Sequence, residues 1–389
     1  MDVGLTLITF LLSLVICLVL MPPFIRLMER YKILDKAGGR KIHKGYTAHM
    51  GGIVIFIAVV LSTVVMMLLY DSKVNHIRMM YIGVVLLVML IVGVRDDMHN
   101  ISPYSKLFFE ILVSIFMSYI GIRLDSFGGF LGIYEIPVWI SYGITICFFI
   151  VVVNSYNLID GIDGQAGMQA INVFLFCFLF YWLIMGRKDF GPDVVSTVFM
   201  YISSLAILGA ILGFLKYNWQ KAKIFMGDAG SLLIGTLITI FIIVSTKHAI
   251  LYNVSDGINN MNGCMLGNMN LKATIAPFLS IFYLPMADTL RVFLNRIRHG
   301  KSPFHPDKTH IHHLFIRIGF SHQKCTLITF AISLGISILG FILAFLFNDN
   351  VCIPVVIISW FAYVRVLHII VNRMIEKGSI LKNQCDKIK

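Results

Sequence analysis

The chain has 389 residues, of which 58% are hydrophobic and only 13% are charged, and its mean hydropathy is +0.84. A soluble domain is roughly 45–50% apolar and about 25% charged, so this composition excludes a soluble globular enzyme. The net charge of +12 comes without a basic stripe interleaved with aromatic residues, which argues against a nucleic-acid partner. Sixteen of the twenty acidic residues are Asp. Such short carboxylates are typical of loops and metal sites.

Eleven apolar stretches are long enough to span a bilayer, which needs about 20 residues per helix. They lie at 4–25, 50–70, 79–94, 107–122, 136–153, 167–185, 194–215, 230–246, 272–290, 326–347 and 350–371. We therefore predict an all-α polytopic membrane protein with about 11 transmembrane helices. Residues 1–371 are expected to form a single integral-membrane domain, and residues 372–389 a basic cytoplasmic tail.

The basic residues predict the orientation of these helices. If the N-terminus is outside, 24 Lys and Arg residues fall in inside segments and seven in outside segments. Because Lys and Arg accumulate in cytoplasmic loops, we expect the N-terminus outside and the C-terminus in the cytoplasm. The seven cysteines are scattered without a CxxC pair, as small buried side chains are, so no disulfide framework is expected.

Two inside loops carry aspartates directly at a helix end. In GVRDDMHN, the carboxylates of Asp96 and Asp97 repel each other, and a nearby cation or proton would relieve that repulsion. In KIFMGDAGS, Asp228 lies between Gly227 and Gly230, where a helix N-terminus favours a phosphate, or a carboxylate that holds a cation. Helix capping is the alternative in both loops.

A third inside loop, NSYNLIDGIDG, repeats a polar residue at every third position: Asn154, Asn157, Asp160 and Asp163. On a helix this spacing places the four side chains on one broad face. Amides and carboxylates are costly to leave facing lipid. A simple polar turn would not require regular spacing, so the pattern favours a polar site.

The last large inside loop contains PDKTHIHHL, with Asp307, His310, His312 and His313. A helical zinc site would set two His residues four apart with a Glu beside the first, and that spacing is absent. The surrounding basic residues favour imidazoles that donate hydrogen bonds to phosphate, with zinc as the alternative. Together the four loops predict Mg²⁺-assisted phosphoryl transfer between a lipid-soluble and a water-soluble substrate.

Five segments occur in an order that is specific to one family: RKIHKG…MGG, DD, NSYNLIDGIDG, NW…FMGDAGS and PDKTHIHHL, within about 40–320. The chain resembles the polyprenyl-phosphate N-acetylhexosamine-1-phosphate transferases. HIHH is similar to the GlcNAc-1-phosphate branch, because the phospho-MurNAc-pentapeptide translocase branch has consecutive histidines. The resemblance implies transfer of a sugar-1-phosphate, most simply GlcNAc-1-phosphate, from a UDP-N-acetylhexosamine to undecaprenyl phosphate, with release of UMP.

That reaction would begin a lipid-linked cell-envelope glycan, such as O-antigen or teichoic acid, at the cytoplasmic face of the bacterial inner membrane. The resemblance implies Mg²⁺ as cofactor, for which Mn²⁺ can substitute, and is compatible with a homodimer. The implied metal ligands are Asn157 and Asp228, and the implied catalytic residues are Asp96, Asp97, His310, His312 and His313. The implied substrate contacts are Lys44, Lys106, Asn154, Asp160, Asp163, Asn218 and Asp307.

One segment departs from the family pattern. Before the paired glycines the family has prolines and an arginine, whereas this chain has Tyr46, Ala48 and His49. The segment is expected to shape the nucleotide or lipid-phosphate pocket. The departure therefore bears on which sugar is transferred more than on which reaction is catalysed.

Other functions remain open from the sequence: a secondary transporter, a membrane zinc hydrolase, a CDP-alcohol phosphotransferase, or the phospho-MurNAc-pentapeptide transferase of the same superfamily. A transporter would place its polar groups near the membrane midplane, whereas here they gather at the cytoplasmic ends. A phosphate monoester is mostly dianionic at neutral pH, which favours direct attack over a phospho-enzyme.

Overall fold

The computed structural model describes residues 3–36, 46–69, 76–185, 194–257, 264–266, 269–300, 310–311, 315–316 and 319–387. Its helices are α1 (Val3–Arg30), α2 (Gly51–Leu69), α3 (His76–His99), α4 (Pro103–Tyr119), α5 (Val138–Ile159), α6 (Gln165–Met185), α7 (Val194–Asn218), α8 (Gly227–Gly257), α9 (Ala276–Ser280), α10 (Tyr283–Arg298), α11 (His322–Leu346) and α12 (Asp349–Lys387). Two short antiparallel hairpins pair β1 (Leu34–Lys36) with β2 (Tyr46–Ala48), and β3 (Cys264–Leu266) with β4 (Met269–Leu271).

The expectation of an all-α polytopic membrane protein is confirmed. Within the described ranges, nine helices are long and apolar enough to cross a membrane: α1, α2, α3, α5, α6, α7, α8, α11 and α12. Helix α4, with 17 residues, occupies the predicted stretch 107–122. The stretch 272–290 is divided between α9 and α10.

The break between α9 and α10 leaves backbone groups without helical partners in an apolar region, where unpaired polar groups are costly. Asn172, in the middle of α6, donates from Nδ2 to the carbonyl of Ile281 at 2.7 Å and to Ser337 Oγ at 2.9 Å. A buried amide thereby satisfies the carbonyl that the break exposes.

Helix α8 lies at the centre of the bundle, and 94% of its most apolar 18-residue segment is buried. It contacts α2, α3, α5 and α6. Glycines allow the closest approaches: a Cβ at Gly52 of α2 would lie 2.1 Å from Gly230 Cα, and a Cβ at Gly93 of α3 would lie 2.4 Å from the Asp228 carbonyl oxygen. The paired glycines and the GDAG motif therefore form helix contacts that fix the start of α8.

The alternating direction of the helices brings the predicted polar loops together. The C-terminal ends of α3, α5 and α7 and the N-terminal ends of α4, α6 and α8 lie at the same end of the bundle. The segment before α2 also reaches this end, because Phe225 N–H donates to the Ala48 carbonyl at 2.9 Å and Gly51 N–H to the Phe225 carbonyl at 3.0 Å. The start of α8 is thus surrounded by four segments that are distant in sequence: the residues before α2 and the connections α3–α4, α5–α6 and α7–α8.

Candidate active site

Asp228, in the first turn of α8, is the centre of a cluster of polar side chains. Lys106 of α4 places its Nζ 3.2 Å from Asp228 Oδ1. Asn157 of α5 donates from Nδ2 to the same carboxylate oxygen and to Ser231 Oγ, the latter at 2.8 Å. The predicted metal ligands Asn157 and Asp228 are therefore in direct contact, and with Lys106 they join α4, α5 and α8.

Lys106 relieves the repulsion expected of the aspartate pair. Its ammonium forms an ion pair with Asp96 as well as with Asp228. The other oxygen of the buried Asp96, Oδ1, accepts a hydrogen bond from Ile101 N–H at 2.9 Å. The two carboxylates thus hold the lysine in place, and the lysine neutralises part of their charge.

Asp97 caps helix α8 from another helix. Its Oδ1 accepts from Asp228 N–H at 2.8 Å and its Oδ2 from Ala229 N–H at 3.0 Å, which satisfies two donors at a helix N-terminus. If the aspartate pair acted as a helix cap in the ordinary way, it would cap the helix that follows it, α4. That helix is instead capped by Ser102, whose Oγ accepts from Ser105 N–H at 3.1 Å.

Asp160 lies directly after α5, where it accepts a hydrogen bond from Gly227 N–H. Burial raises the pKa of this carboxyl well above its ordinary value, and the negative charges of Asp228 and Asp97 add to the effect. The nearby His49 and the Gly227 N–H act in the opposite direction. A cation beside Asp160 would stabilise its ionised form.

His49 comes from the segment that departs from the family pattern, and it reaches the cluster. Its Nδ1 lies 3.1 Å from Asp97 Oδ1, and its ring meets Phe225 edge-to-face at 6.2 Å between centroids. The sequence singled out this segment but assigned His49 no role. The available signal was the position of His49, two residues before the paired glycines Gly51 and Gly52.

Asp163 and Asn218 contact the neighbouring loops and α11. Asn218 accepts from Gly164 N–H at 2.8 Å and donates to the Ile224 carbonyl at 2.8 Å. Asp163 Oδ2 lies 3.8 Å from His322 Nδ1 of α11, and both predicted residues are buried. These contacts fix the two loops relative to each other, and the substrate contacts expected of both residues stay predictions.

Glu110 is a residue that sequence reasoning missed. It is fully buried on α4, one turn beyond Lys106, and its Oε2 accepts from Asn154 Nδ2 at 2.7 Å. Asn154 thereby faces α4 rather than Asp228. An ionisable residue within an apolar stretch is a functional signal in a membrane protein, and that rule would have identified Glu110.

His310 is held by an aspartate that the sequence did not single out. The imidazole is 4% exposed, and its Nδ1 lies 3.0 Å from Asp288 Oδ2 on α10. Asp288 also accepts from Arg291 Nη2 at 2.7 Å and from Ile311 N–H at 3.2 Å. Asp288 therefore anchors the start of the histidine segment, and a catalytic role for His310 stays a prediction. Lys44, Asp307, His312 and His313 lie outside the described residues.

The oxygen atoms around Asp228 fit Mg²⁺ when it shares its ligands with a substrate. Mg²⁺ is usually held by one or two carboxylates, with phosphate oxygens and waters completing the shell. Asp228, Asp160 and the amide of Asn157 provide such a set. In the part of the chain that the structure describes, there is no group of three or more His, Cys, Asp or Glu residues that could hold a metal by themselves.

Comparison with known proteins assigns the family. The sequence profile of glycosyl transferase family 4 matches residues 79–246. The chain is 29% identical over 338 residues to a probable undecaprenyl-phosphate N-acetylglucosaminyl 1-phosphate transferase of Bacillus subtilis, covering 86% of this chain and 84% of the relative. It is 30% identical over 322 residues to the decaprenyl-phosphate N-acetylglucosaminephosphotransferase of Mycobacterium tuberculosis, covering 80% and 75%. With the Escherichia coli undecaprenyl-phosphate alpha-N-acetylglucosaminyl 1-phosphate transferase it shares 29% identity over 316 residues, covering 80% and 77%. The matched residues include the aspartate pair and the start of α8, and the chain therefore belongs to glycosyl transferase family 4, as a membrane-embedded transferase.

Proposed function

We propose that the protein transfers GlcNAc-1-phosphate from UDP-GlcNAc to undecaprenyl phosphate and releases UMP. The observation that carries the proposal is the junction of Asp228, Asn157, Asp96 and Lys106 at one end of a bundle of apolar helices. A site at this position is accessible both to a lipid phosphate in the membrane and to a nucleotide in water. The names of the relatives, which specify polyprenyl phosphate and N-acetylglucosamine, support this pair of substrates.

In the proposed reaction, an oxygen of the lipid phosphate forms a bond to the β-phosphorus of the UDP-sugar. The bond from that phosphorus to the bridging oxygen breaks, and the electron pair leaves with UMP. The attacking phosphate is mostly dianionic at neutral pH, so the step needs no general base. Asp97 is free of that task, consistent with its use of both carboxylate oxygens at the start of α8.

Lys106 is suited to bind a phosphate oxygen. An ammonium has three N–H groups, and Lys106 directs two of them to Asp96 and Asp228. The third is available for an oxygen of the diphosphate.

Asp228, Asp160 and Asn157 would hold Mg²⁺, which supplies charge neutralisation on the reacting diphosphate when bound. We propose that this site faces the bacterial cytoplasm, because the loops at this end carry most of the basic residues.

The test is UMP release by purified protein supplied with undecaprenyl phosphate, Mg²⁺ and one UDP-sugar at a time. We expect release with UDP-GlcNAc, loss of release with a chelator, and recovery with Mg²⁺ or Mn²⁺. Release only with UDP-MurNAc-pentapeptide would place the protein in the other branch of the superfamily. No UMP from any UDP-sugar would overturn the proposal.

A further inference from the structure

A groove of about 580 Å³ opens at the end of α7, on the side where α6 and α11 begin. Its lining residues differ from those that surround Asp228, and they combine cations, aromatic rings and apolar side chains. They are Met168, Leu215, Lys216, Tyr217, Trp219, Gln220, Lys221, Lys223 and Leu327. The proposed reaction uses none of these residues.

The charge of the groove is entirely positive. Lys216, Lys221 and Lys223 are exposed, and among the described residues that line the groove no side chain is acidic. Lys216 follows directly after the last buried turn of α7, and its Nζ lies 5.9 Å from the centroid of the Tyr217 ring. Three lysine side chains therefore lie at the end of the membrane-spanning helix α7.

The wall of the groove toward the membrane is apolar. Leu215 ends the apolar part of α7, Met168 lies in the first turn of α6, and Leu327 lies in the second turn of α11 with 50% of its surface exposed. This arrangement, with apolar side chains on the membrane side and ammonium groups beyond them, matches the two parts of a lipid molecule. A soluble anion would use only the cationic half.

The loop that carries the lysines is held in shape by the protein itself. Gln220 and Lys221 adopt left-handed backbone angles, with φ of 52° and 59°, which non-glycine residues adopt at an energetic cost. Lys223 N–H donates to the Tyr217 carbonyl at 2.8 Å. Trp219 packs against Gly164, where an added Cβ would lie 2.6 Å from the indole ring. The lysines are thus presented by a fixed turn.

We propose that this groove binds an anionic glycerophospholipid, with the headgroup phosphate on the three lysines and an acyl chain along Met168, Leu215 and Leu327. Basic pockets between membrane helices at the cytoplasmic side suit such headgroups. Tyr217 and Trp219 fit the same depth, because Tyr and Trp concentrate at the membrane–water interface. The lipid in this site is a bound partner and not the acceptor of the reaction.

The test measures phosphatidylglycerol bound to the purified full-length chain by native mass spectrometry, without UDP-sugar or polyprenyl phosphate. The variant is the triple substitution Lys216→Gln, Lys221→Gln and Lys223→Gln. A matched control replaces the exposed residues Arg30, Lys32 and Arg373 with Gln and removes the same charge. We expect the groove variant to bind phosphatidylglycerol at least tenfold more weakly, the control to bind it as the wild type does, and phosphatidylcholine to be retained poorly by all three proteins.

A second variant, with Arg at all three groove positions, keeps the charge and should keep the lipid. Equal binding by the groove variant and the control would overturn the proposal. Displacement of phosphatidylglycerol by one equivalent of undecaprenyl phosphate or of UDP-GlcNAc would also overturn it, because the groove would then belong to the substrates. The lipid measurement does not depend on transferase activity, so a failure of the proposed reaction and a failure of this site are distinguishable.

Discussion

Neighbouring aspartates in this protein have different binding partners, and these partners determine what each carboxylate can bind in addition. Asp97 uses both carboxylate oxygens on backbone N–H groups at the start of α8. Asp96 pairs with Lys106, and Asp228 contacts Lys106 and Asn157 while keeping part of its surface exposed. Asp97 therefore positions Asp228, which leaves Asp228 as the carboxylate that would hold the metal in the proposed reaction.

Replacing Asp228 with Asn tests this division. The amide keeps the size of the side chain but removes the charge that would hold Mg²⁺, so we expect UMP release to fall on the order of 100-fold or more. The control is Asp125→Asn, because Asp125 pairs with Lys247 at 2.6 Å at the opposite end of the bundle. An Asp228→Asn enzyme with wild-type activity would contradict the metal assignment.

Glu110 makes a prediction about stability. Its carboxylate accepts the Asn154 amide in a fully buried position. Glu110→Gln keeps an acceptor oxygen, whereas Glu110→Met has a similar volume and keeps none. With Met, Asn154 Nδ2 would keep only its bond to the Ile150 carbonyl at 2.9 Å. Because a buried N–H without an acceptor costs about 1–3 kcal/mol, we expect the Met variant to unfold at a lower temperature in detergent than the Gln variant. Equal unfolding temperatures would show that the hydrogen bond contributes nothing.

Asp160 predicts a pH dependence in metal-free protein. Its folded-state pKa is raised well above the ordinary value by burial and by the charges of Asp228 and Asp97. Between the ordinary and the raised pKa, the folded protein therefore keeps a proton that the unfolded chain releases. The free energy of unfolding falls as pH rises through this range. In chelator-containing buffer, the unfolding temperature of the wild type should fall more between about pH 4 and about pH 8 than that of Asp160→Asn. Parallel curves for the two proteins would contradict the raised pKa.

At the scale of elements, the position of the site depends on how closely α2 and α3 approach the start of α8. Gly52 of α2 faces Gly230, and Gly93 of α3 faces the backbone of Asp228. Glycines permit this because larger residues would hold the helix axes farther apart. The same approach puts Asp97, one turn after Gly93, within hydrogen-bond distance of the α8 N-terminus.

Gly93→Ala should therefore damage both stability and activity. The added Cβ would lie 2.4 Å from the Asp228 carbonyl oxygen and 2.5 Å from Ala229 Cα, and such overpacking costs roughly 1–3 kcal/mol. Gly83→Ala on the same helix is the matched control, since its Cβ would meet nothing within 4 Å. We expect the Gly93 variant to unfold at a lower temperature and to release UMP more slowly, and the Gly83 variant to match the wild type. Equal behaviour of the two would contradict the close-packing explanation.

At the scale of the whole molecule, the helices separate one chemically dense end from one sparse end. The three predicted loops that carry Asp96, Asp160 and Asp228, together with the lysine groove, lie where α3, α5 and α7 end. The connection between α4 and α5 lies at the opposite end and includes Asp125, paired with Lys247 of α8. The proposed reaction would require this asymmetry, because only one side of the membrane supplies the nucleotide.

The orientation can be measured with reporter fusions. We predict that the end bearing Asp228 is cytoplasmic, since 24 basic residues fall in segments assigned to that side and seven in the others. Alkaline phosphatase, which is active only after export, should be active when fused after Gly129 and inactive when fused after Gly300. Green fluorescent protein at the same positions should show the opposite pattern. Activity of the phosphatase after Gly300 would reverse the predicted topology.

The sequence by itself determined the membrane class, the approximate positions of most spans, and the loops in which polar residues gather. These follow from hydropathy and from polar residues at helix ends, which are local properties of the chain. Asn157 and Asp160 lie together near Asp228 at the end of α5, as their regular spacing predicts, whereas Asn154 faces Glu110 of α4. The spacing did not indicate that Asp163, three residues further, faces α11, because the chain turns after Asp160.

Only the tertiary structure decided which of these polar groups meet. Lys106 joins Asp96 to Asp228 across 122 residues of sequence, Asp97 caps a helix 131 residues away, and Asp288 holds His310. Such pairings depend on how close α3, α4 and α5 come to α8, and that distance is set by side-chain volume at the contacts. No local pattern encodes that distance, so the sequence identified most of the polar groups near Asp228, and packing decided their contacts and brought in His49, Glu110 and Asp288.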